Sequence, residues 1–482
     1  MTEAPLAVCR QPVLGWGMAV GGLADVLRPT TQDDVLAIVQ WARQAQRPIA
    51  LRGAGCSYGD AACGALIVDM SGVNRILHWD PQTGLIRCEA GATIGDVWHH
   101  TVAQGWWPPV VSGTMAPTLG GAAAMNIHGK NAFRAGPIGE HITALKVLLM
   151  SGEVRELVPT DPLFRAVISG FGELAVILEV ALQLKRVHAG TLQVWAKTAA
   201  NLDSLFAFFE NHAASADYLV AWLDAFATGQ GLGRSLIHAA YHRKPGQEVA
   251  NATALQVHNQ ELPPRLFGVI PKSWMWRLLW PFSNQWGMRL VNIARYWSGR
   301  LLAEDKRYWQ SHAAFHFLLD YVPNWKFAYK PGGLIQHQIF VPRAAAKQVF
   351  AQVLQLQQAR GLVTLLAVVK RHRADDFLLS HGLDGYSLAQ DFAVTSRNRD
   401  TVWQLCHDMD AIVAAAGGKV YFAKDATVQP HTVLAMFGRE RLQHFAQLRE
   451  RLDPQGLLAT AQWLRAVQPA VQLALQANDE IR

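Results

Sequence analysis

Residues 51–60 read LRGAGCSYGD and follow RPIALRG, an apolar run that reads as a short buried strand. Glycine this dense means that the backbone turns with positive φ or must approach another group closely. The loop GAGCSYG lacks the G-x-G-x-x-G spacing of a dinucleotide turn and the G-K-[ST] ending of a phosphate loop. Taken alone, it is a tight connection in a β-rich domain. A second stretch, SGTMAPTLGGAAAMNIHGKN at 112–131, adds backbone donors with little side-chain bulk. Two such stretches can line both sides of a long phosphate-bearing ligand and donate N–H groups to its pyrophosphate.

Around these loops the chain alternates helix and strand. TTQDDVLAIVQWARQAQ (30–46) opens with threonine caps and early acids, then spaces Val35, Ile38, Val39 and Ala42 on one helical face. RILHWDPQTGLIRCEAG reads as a hairpin around a Pro-containing turn, with a helix over 94–104 after it. ITALKVLLMSGEVRELV is a second hairpin turning at Ser151-Gly152. From about residue 190 the pattern becomes strand, helix, strand, strand, and it repeats after residue 330 with helices over 343–359 and 400–416. Such a pattern predicts antiparallel sheet backed by helices, an α+β fold. A tail beginning KVYFAKDATVQP adds two helices through about residue 466.

At 482 residues the chain exceeds one hydrophobic core, so two domains, or one split by another, are expected. With 50% hydrophobic and 17% charged residues it is globular rather than disordered. Lys and Arg outnumber Asp and Glu by 44 to 37, which fits ordinary surface charge or attraction to anionic lipid or a phosphorylated substrate. The five cysteines form no C-x-x-C pair, as in a reducing compartment, and no metal is indicated because His99 and His100 converge on nothing. The N-terminus lacks a basic region followed by an apolar one, and LAVILEVALQL (174–184) is too short to span a bilayer. A cytoplasmic protein is expected, with peripheral contact to the inner face of the membrane.

Residues 263–302 point to that contact. They hold six basic residues (Arg265, Lys272, Arg277, Arg289, Arg295, Arg300), no acid, and five of the 17 tryptophans. Tryptophan with arginine and no carboxylate is the composition of a segment lying in an anionic membrane interface. The alternative is a lid whose tryptophans pack on the protein.

The combination of RGAGCSYGD, SGT…LGGAAAMNIHGKN and the hairpin after them resembles the FAD-binding domain of vanillyl-alcohol oxidase and p-cresol methylhydroxylase type flavoproteins. Within that family the likeness is to the branch that oxidises a polyprenyl-phosphate-linked pentose. It runs from LGWG (14–17) through VAWLDA (220–225) and IQHQIFVP (335–342) to YFAKD (421–425). The resemblance implies a two-subdomain FAD-binding domain with an inserted α+β substrate domain. Residues 1–190 would be its first part, 191–418 the substrate domain with 263–302 a mobile or membrane-facing lid, and 419–482 the return.

The resemblance also implies the site. Gly53, Ala54, Gly55, Cys56, Ser57 and Tyr58 match the first FAD loop; Gly113, Thr114, Gly120, Gly121, Ala124, Met125, Ile127 and His128 match the second. Ile177 and Tyr421 match further cofactor contacts. Many members carry a histidine at the place of Cys56 and bond it to the flavin; the branch resembled here holds FAD without a covalent link. The family turn GGxGLTG appears as SGFGELA (169–175), with Ala175 for a glycine.

Oxidising a carbinol requires a hydride acceptor, a base for the hydroxyl proton, and positive charge where the reduced flavin becomes anionic. Lys424 in YFAKD matches the family lysine for the last task. His128, Lys130 and Tyr58 are candidates for orienting substrate or flavin, and none of them is singled out as the base. Gln336 and Gln338 alternate on one face of a strand with His337 on the other, and sugar hydroxyls would serve as partners for such amides. These glutamines, with Tyr329 and Lys370, match substrate-pocket positions, and Lys370 suits a substrate phosphate. Where the family carries a cysteine modified by nitroaromatic inhibitors, this chain has Ala389.

The leading expectation is therefore an FAD-dependent sugar oxidoreductase acting on a CH–OH group, with a reductase as partner for the keto product. A soluble alditol or aldonolactone oxidase is the first alternative. A non-catalytic interaction protein is the second. The resemblance gives nucleic acid no part.

Overall fold

A computed structural model describes residues 4–244, 255–266 and 268–476, so Phe267 of the lid segment and the last residues of the return segment lie outside them. Three main sheets build the fold. The first is four-stranded, in the order Cys9–Leu14, Gly21–Leu27, Leu66–Asp69, Ala50–Arg52. The helix Gln32–Ala45 packs beside it. Thr31 caps that helix by accepting from the Asp34 amide at 3.1 Å, while Asp34 accepts from the Thr31 amide at 3.0 Å. Val35, Ile38, Val39 and Ala42 are all buried, as their spacing predicts. The second sheet is five-stranded and antiparallel, with Val176–Gln183 at its centre, and it contains both expected hairpins.

The third sheet is eight-stranded and antiparallel. Its order is Arg307–Ser311, Thr191–Ala199, Ser235–Tyr241, Tyr218–Leu223, Leu366–His372, Gly385–Ala393, Leu334–Pro342, Lys419–Val420. Helices back one face: His337 Nε2 meets Asp410 Oδ1 of the helix Arg399–Ala415 at 2.7 Å. The opposite face looks toward the glycine loops. An α+β architecture results, as the alternating pattern predicts.

The tail differs from expectation. It holds helices at Pro430–Phe437 and Arg439–Leu452 and a third at Gln468–Gln476 beyond residue 466. Val467 and Ala470 are buried in the same core, and a packed face extends this last helix beyond what its mixed composition suggests. The tail closes on the first sheet through Ile49 N to Leu457 O (2.7 Å) and Ala459 N to Ile49 O (2.9 Å). Among the described residues, no helix is long and apolar enough to cross a membrane.

Candidate active site

Three distant segments meet at the first glycine loop. A Cβ on Gly53 would lie 2.1 Å from Thr118 Oγ1, so glycine lets the first loop touch the second. A Cβ on Gly59 would lie 1.6 Å from the Asp425 carbonyl oxygen, so glycine also lets the loop touch YFAKD. The Tyr58 amide donates to the Ala423 carbonyl at 3.1 Å, and the Trp16 amide donates to the Ser57 carbonyl at 2.7 Å. Arg465 locks this junction. It forks onto Asp60 at 2.8 and 3.0 Å and reaches Asp425 Oδ2 at 2.7 Å.

What remains open in the loop is its row of donors. The amides of Ala54, Gly55, Cys56 and Ser57 engage no acceptor among the described residues, and Gly55 has φ +67°. Successive free N–H groups with a left-handed residue among them form an anion cradle. Nearby, the buried His128 Nδ1 has no partner among the described residues. Free backbone donors, small residues at Gly120, Gly121 and Ala124, and an unpaired ring nitrogen fit FAD.

Above the loop stands Lys424, its ammonium 3.7 Å from the centre of the Tyr58 ring. Trp16 packs on Tyr58 and on Trp325, with centroids 4.8 and 5.1 Å apart, and Trp325 meets Tyr329 at 5.6 Å. Together they make an aromatic wall. Burial pushes the Lys424 pKa down to about 7, with the Asp391 carboxylate opposing the fall. Burial likewise raises the Cys56 thiol, against the pull of Lys424.

Strand register orders the sheet face opposite. Directly paired residues of an antiparallel ladder share a face. One row runs Gln336, Asp391, Leu366; the next runs Gln338, Ala389, Val368, Trp222, Leu236. A third carries Phe340, Ser387 and Lys370, with His238 beside Val220 two strands away. Gln336 and Gln338 share the site face as expected, but their amides already have protein partners: Asp391 Oδ1 at 2.6 Å and His128 Nε2 at 3.0 Å. His128 also lies against Tyr421 and Phe340, at 5.2 and 5.4 Å.

Other expected residues are held by partners beyond this cluster. Lys130 donates to the Phe315 carbonyl and lies over the Phe315 ring, so its ammonium is held by a residue far along the chain. The SGT turn is clasped from that side too, with Thr114 Oγ1 donating to Asp320 at 2.7 Å. Ile177 is buried in the central strand of the five-stranded sheet. Ala389 offers no thiol and the Cys56 thiol is raised, so a nitroaromatic inhibitor is expected to leave the 385–392 peptide unmodified by intact mass and peptide mapping. An adduct on that peptide would contradict this.

The basic end of the face continues toward the helix Gln285–Leu302. Lys370 is held down to about 8 and His238 to about 4, both by burial first. Arg295 of the helix Gln285–Leu302 stacks over Trp222 at 4.9 Å. It is exposed to solvent, while partial desolvation lowers its pKa. Sequence reasoning missed Asp391, His238 and Arg295. Alternation could have found the first, because Asp391 shares the strand face of Ala389; the other two carry no local signal.

Comparison with known proteins agrees with this geometry. Residues 24–157 match the model of an FAD binding domain, and residues 335–467 match that of D-arabinono-1,4-lactone oxidase. The chain is 28% identical to decaprenylphosphoryl-beta-D-ribose oxidase of Mycolicibacterium smegmatis, over 95% of this chain and 97% of that protein. It is 30% identical to L-gulono-1,4-lactone dehydrogenase of Mycobacterium tuberculosis, over 33% of this chain and 37% of that protein. With L-gulonolactone oxidase of Bos taurus it shares 22% identity over 92% and 96%.

Proposed function

We propose that this chain, an FAD-dependent oxidoreductase with a p-cresol methylhydroxylase type FAD-binding domain, oxidises a sugar carbinol carried on a polyprenyl phosphate. Bound FAD supplies the acceptor for the hydride of the carbinol carbon. The free amides of residues 54–57 hold the pyrophosphate, and Lys424 places positive charge where the reduced cofactor needs it. Gln336 and Gln338 orient the sugar, and the amides they present are fixed in place by Asp391 and His128. Lys370, with His238 and Arg295 further along the same face, suits the phosphate. A ketone on a lipid carrier would then pass to a separate reductase.

One observation carries the lipid part of this reading: the outer face of the lid. Trp286 (77% exposed), Leu290 (65%) and Leu301 (75%), with Ile293 and Trp297, line one side of the helix Gln285–Leu302. Trp274, Leu278 and Trp280 extend the patch, and Arg277, Arg289 and Arg300 stand beside it. A contiguous exposed apolar face rimmed by arginine and free of acid suits an anionic bilayer. Each basic residue near such a surface adds about 1 kcal/mol. Trp276 is the exception, since it packs on Phe327 at 5.6 Å.

The test is co-sedimentation with anionic and neutral liposomes. Wild type is expected to pellet with anionic vesicles, and a variant with Trp286, Leu290 and Trp297 changed to Gln to stay in solution. Equal pelleting of both, or of neither, leaves only a lid. The match of residues 335–467 to an aldonolactone oxidase favours a second reading, a soluble sugar lactone or alditol as substrate. A screen for flavin bleaching by lipid-linked pentose and by free lactones separates the two.

A further inference from the structure

Asp391 is fully buried on the site face, directly across from Gln336 in the neighbouring strand. Its Oδ1 accepts from the Gln336 amide at 2.6 Å. Its backbone carbonyl is also engaged, by the Leu365 amide at 2.9 Å and the Thr364 hydroxyl at 3.1 Å. Its Oδ2 is buried with no partner among the described residues. A buried carboxyl oxygen left without a donor is costly, and such groups persist where a ligand supplies the missing hydrogen bond.

We propose that Asp391 is the general base that takes the proton of the substrate hydroxyl, through Oδ2. The proposal rests on the carbinol reading above. In the step, the O–H and C–H bonds of the carbinol break and its C=O forms. The proton goes to Asp391 Oδ2, and the hydride with its electron pair goes to the FAD of this enzyme class, so the sugar is oxidised and the cofactor reduced.

The surroundings fit the role. The titratable groups that face Asp391 are Lys424 from the YFAKD turn, Tyr58 from the first loop, and Tyr329 from the turn before the Leu334–Pro342 strand. Burial pushes the carboxyl up to about 7, with the Gln336 hydrogen bond and then Lys424 holding it from rising further. A base in that range accepts a proton readily at neutral pH. Lys424 titrates in the same range, so the two form a coupled pair. Tyr58 and Tyr329 both lie well above the ordinary phenol range, chiefly through burial, and so stay protonated. None of His128, Lys130 and Tyr58 offers a comparable free acceptor: Tyr58 is protonated, Lys130 is committed to Phe315, and His128 accepts from the Gln338 amide at Nε2, which leaves its unpaired Nδ1 as the protonated nitrogen of the neutral ring.

The test uses the FAD-loaded enzyme and the variants Asp391→Asn and Asp391→Glu. Burial also raises Glu173 to about 7, so the readout is the wild-type minus D391N infrared spectrum without substrate, which is expected to show a carboxylic acid band that disappears as pH rises through neutrality. Stopped-flow reduction by the sugar is expected to be about 10²- to 10⁴-fold slower in D391N, the range for loss of a general base. The acid limb of the wild-type pH profile should vanish in D391N and return in D391E. D391N reduced within threefold of wild type, or keeping the limb, overturns the proposal, as does a difference spectrum without the band. If no sugar carbinol reduces wild type, the carbinol reading has failed instead, and the proposal with it.

Discussion

Lys424→Ala is expected to bind FAD and to lose its reduction by substrate. The cofactor contacts expected to hold FAD are backbone amides of residues 54–57, and these do not need the lysine. What the lysine adds is charge in a site where burial makes charge expensive. Burial lowers the Lys424 pKa to about 7, and an anion developing beside the ammonium favours its charged form. Stabilisation that grows along the reaction lowers the barrier, whereas uniform binding does not. Loss of one such electrostatic group costs about 2.7–4 kcal/mol, or roughly 10²- to 10³-fold in the reduction rate. Stopped-flow absorbance measures it directly, and reduction within threefold of wild type would remove the assigned role.

The same lysine makes a prediction about stability. Its folded pKa lies below the ordinary lysine value of 10.5, so folding favours the neutral amine. The stability this contributes is present above the ordinary value and is lost as pH falls toward about 7. Lys424→Met apoprotein is therefore expected to melt higher than wild-type apoprotein at pH 6, with the difference shrinking toward pH 10. A difference independent of pH in thermal melts would contradict this account.

The largest loss of stability is expected from Arg465→Met. Arg465 holds Asp60, 11% exposed in its side chain, and Asp425, 1% exposed, and its third nitrogen donates to the Val428 carbonyl at 2.8 Å. Asp425 Oδ1 is satisfied separately, by the amides of Thr427 and Val428 at 2.9 and 2.8 Å. Without the guanidinium, two buried carboxylates are left close together and unpaired. Breaking a buried pair by removing one partner costs about 3–5 kcal/mol. Because Asp60 ends the first glycine loop and Asp425 ends YFAKD, the same change should loosen FAD.

The sign with pH follows from the carboxylates. Burial pushes Asp425 up, but Arg465 and the two amides outweigh it and hold the group below the usual aspartate range. Its contribution is present at neutral pH and lost on acidification. The gap between wild type and R465M in urea unfolding should therefore narrow below about pH 4. A gap under about 1 kcal/mol at pH 7 would mean that the junction is held by something else.

Much of the fold was legible because its signals are local. The capped helix at 32–45, both hairpins and the strand alternation at 334–342 follow from residues within a few positions of one another, whose backbone and side-chain periods decide them. The site was legible in part. Composition marked the glycine loops, and alternation put Gln336 and Gln338 on one face. It could not supply their partners, which come from residues 391 and 128.

The amino-acid sequence by itself determined the α+β class, the paired glycine loops and the acid-free tryptophan-rich segment, since each depends on local conformation or composition. Only the tertiary structure decided which groups meet. Asp391 faces Lys424 because two strands pair in one register, and a slip of one residue would turn it to the opposite face. Arg465 joins Asp60 to Asp425 across some four hundred residues of chain. Lys130, in the middle of a promising motif, is held at the Lys370 and His238 end of the site because Phe315 offers a carbonyl and a ring for its ammonium. Packing of the helix Gln285–Leu302 over Leu236, where Gly299 leaves no room for a Cβ, sets Arg295 over Trp222 and turns Trp286 outward. Charge and polarity are satisfied at a few ångströms, and which residues come that close is settled by register and packing between segments far apart in the chain.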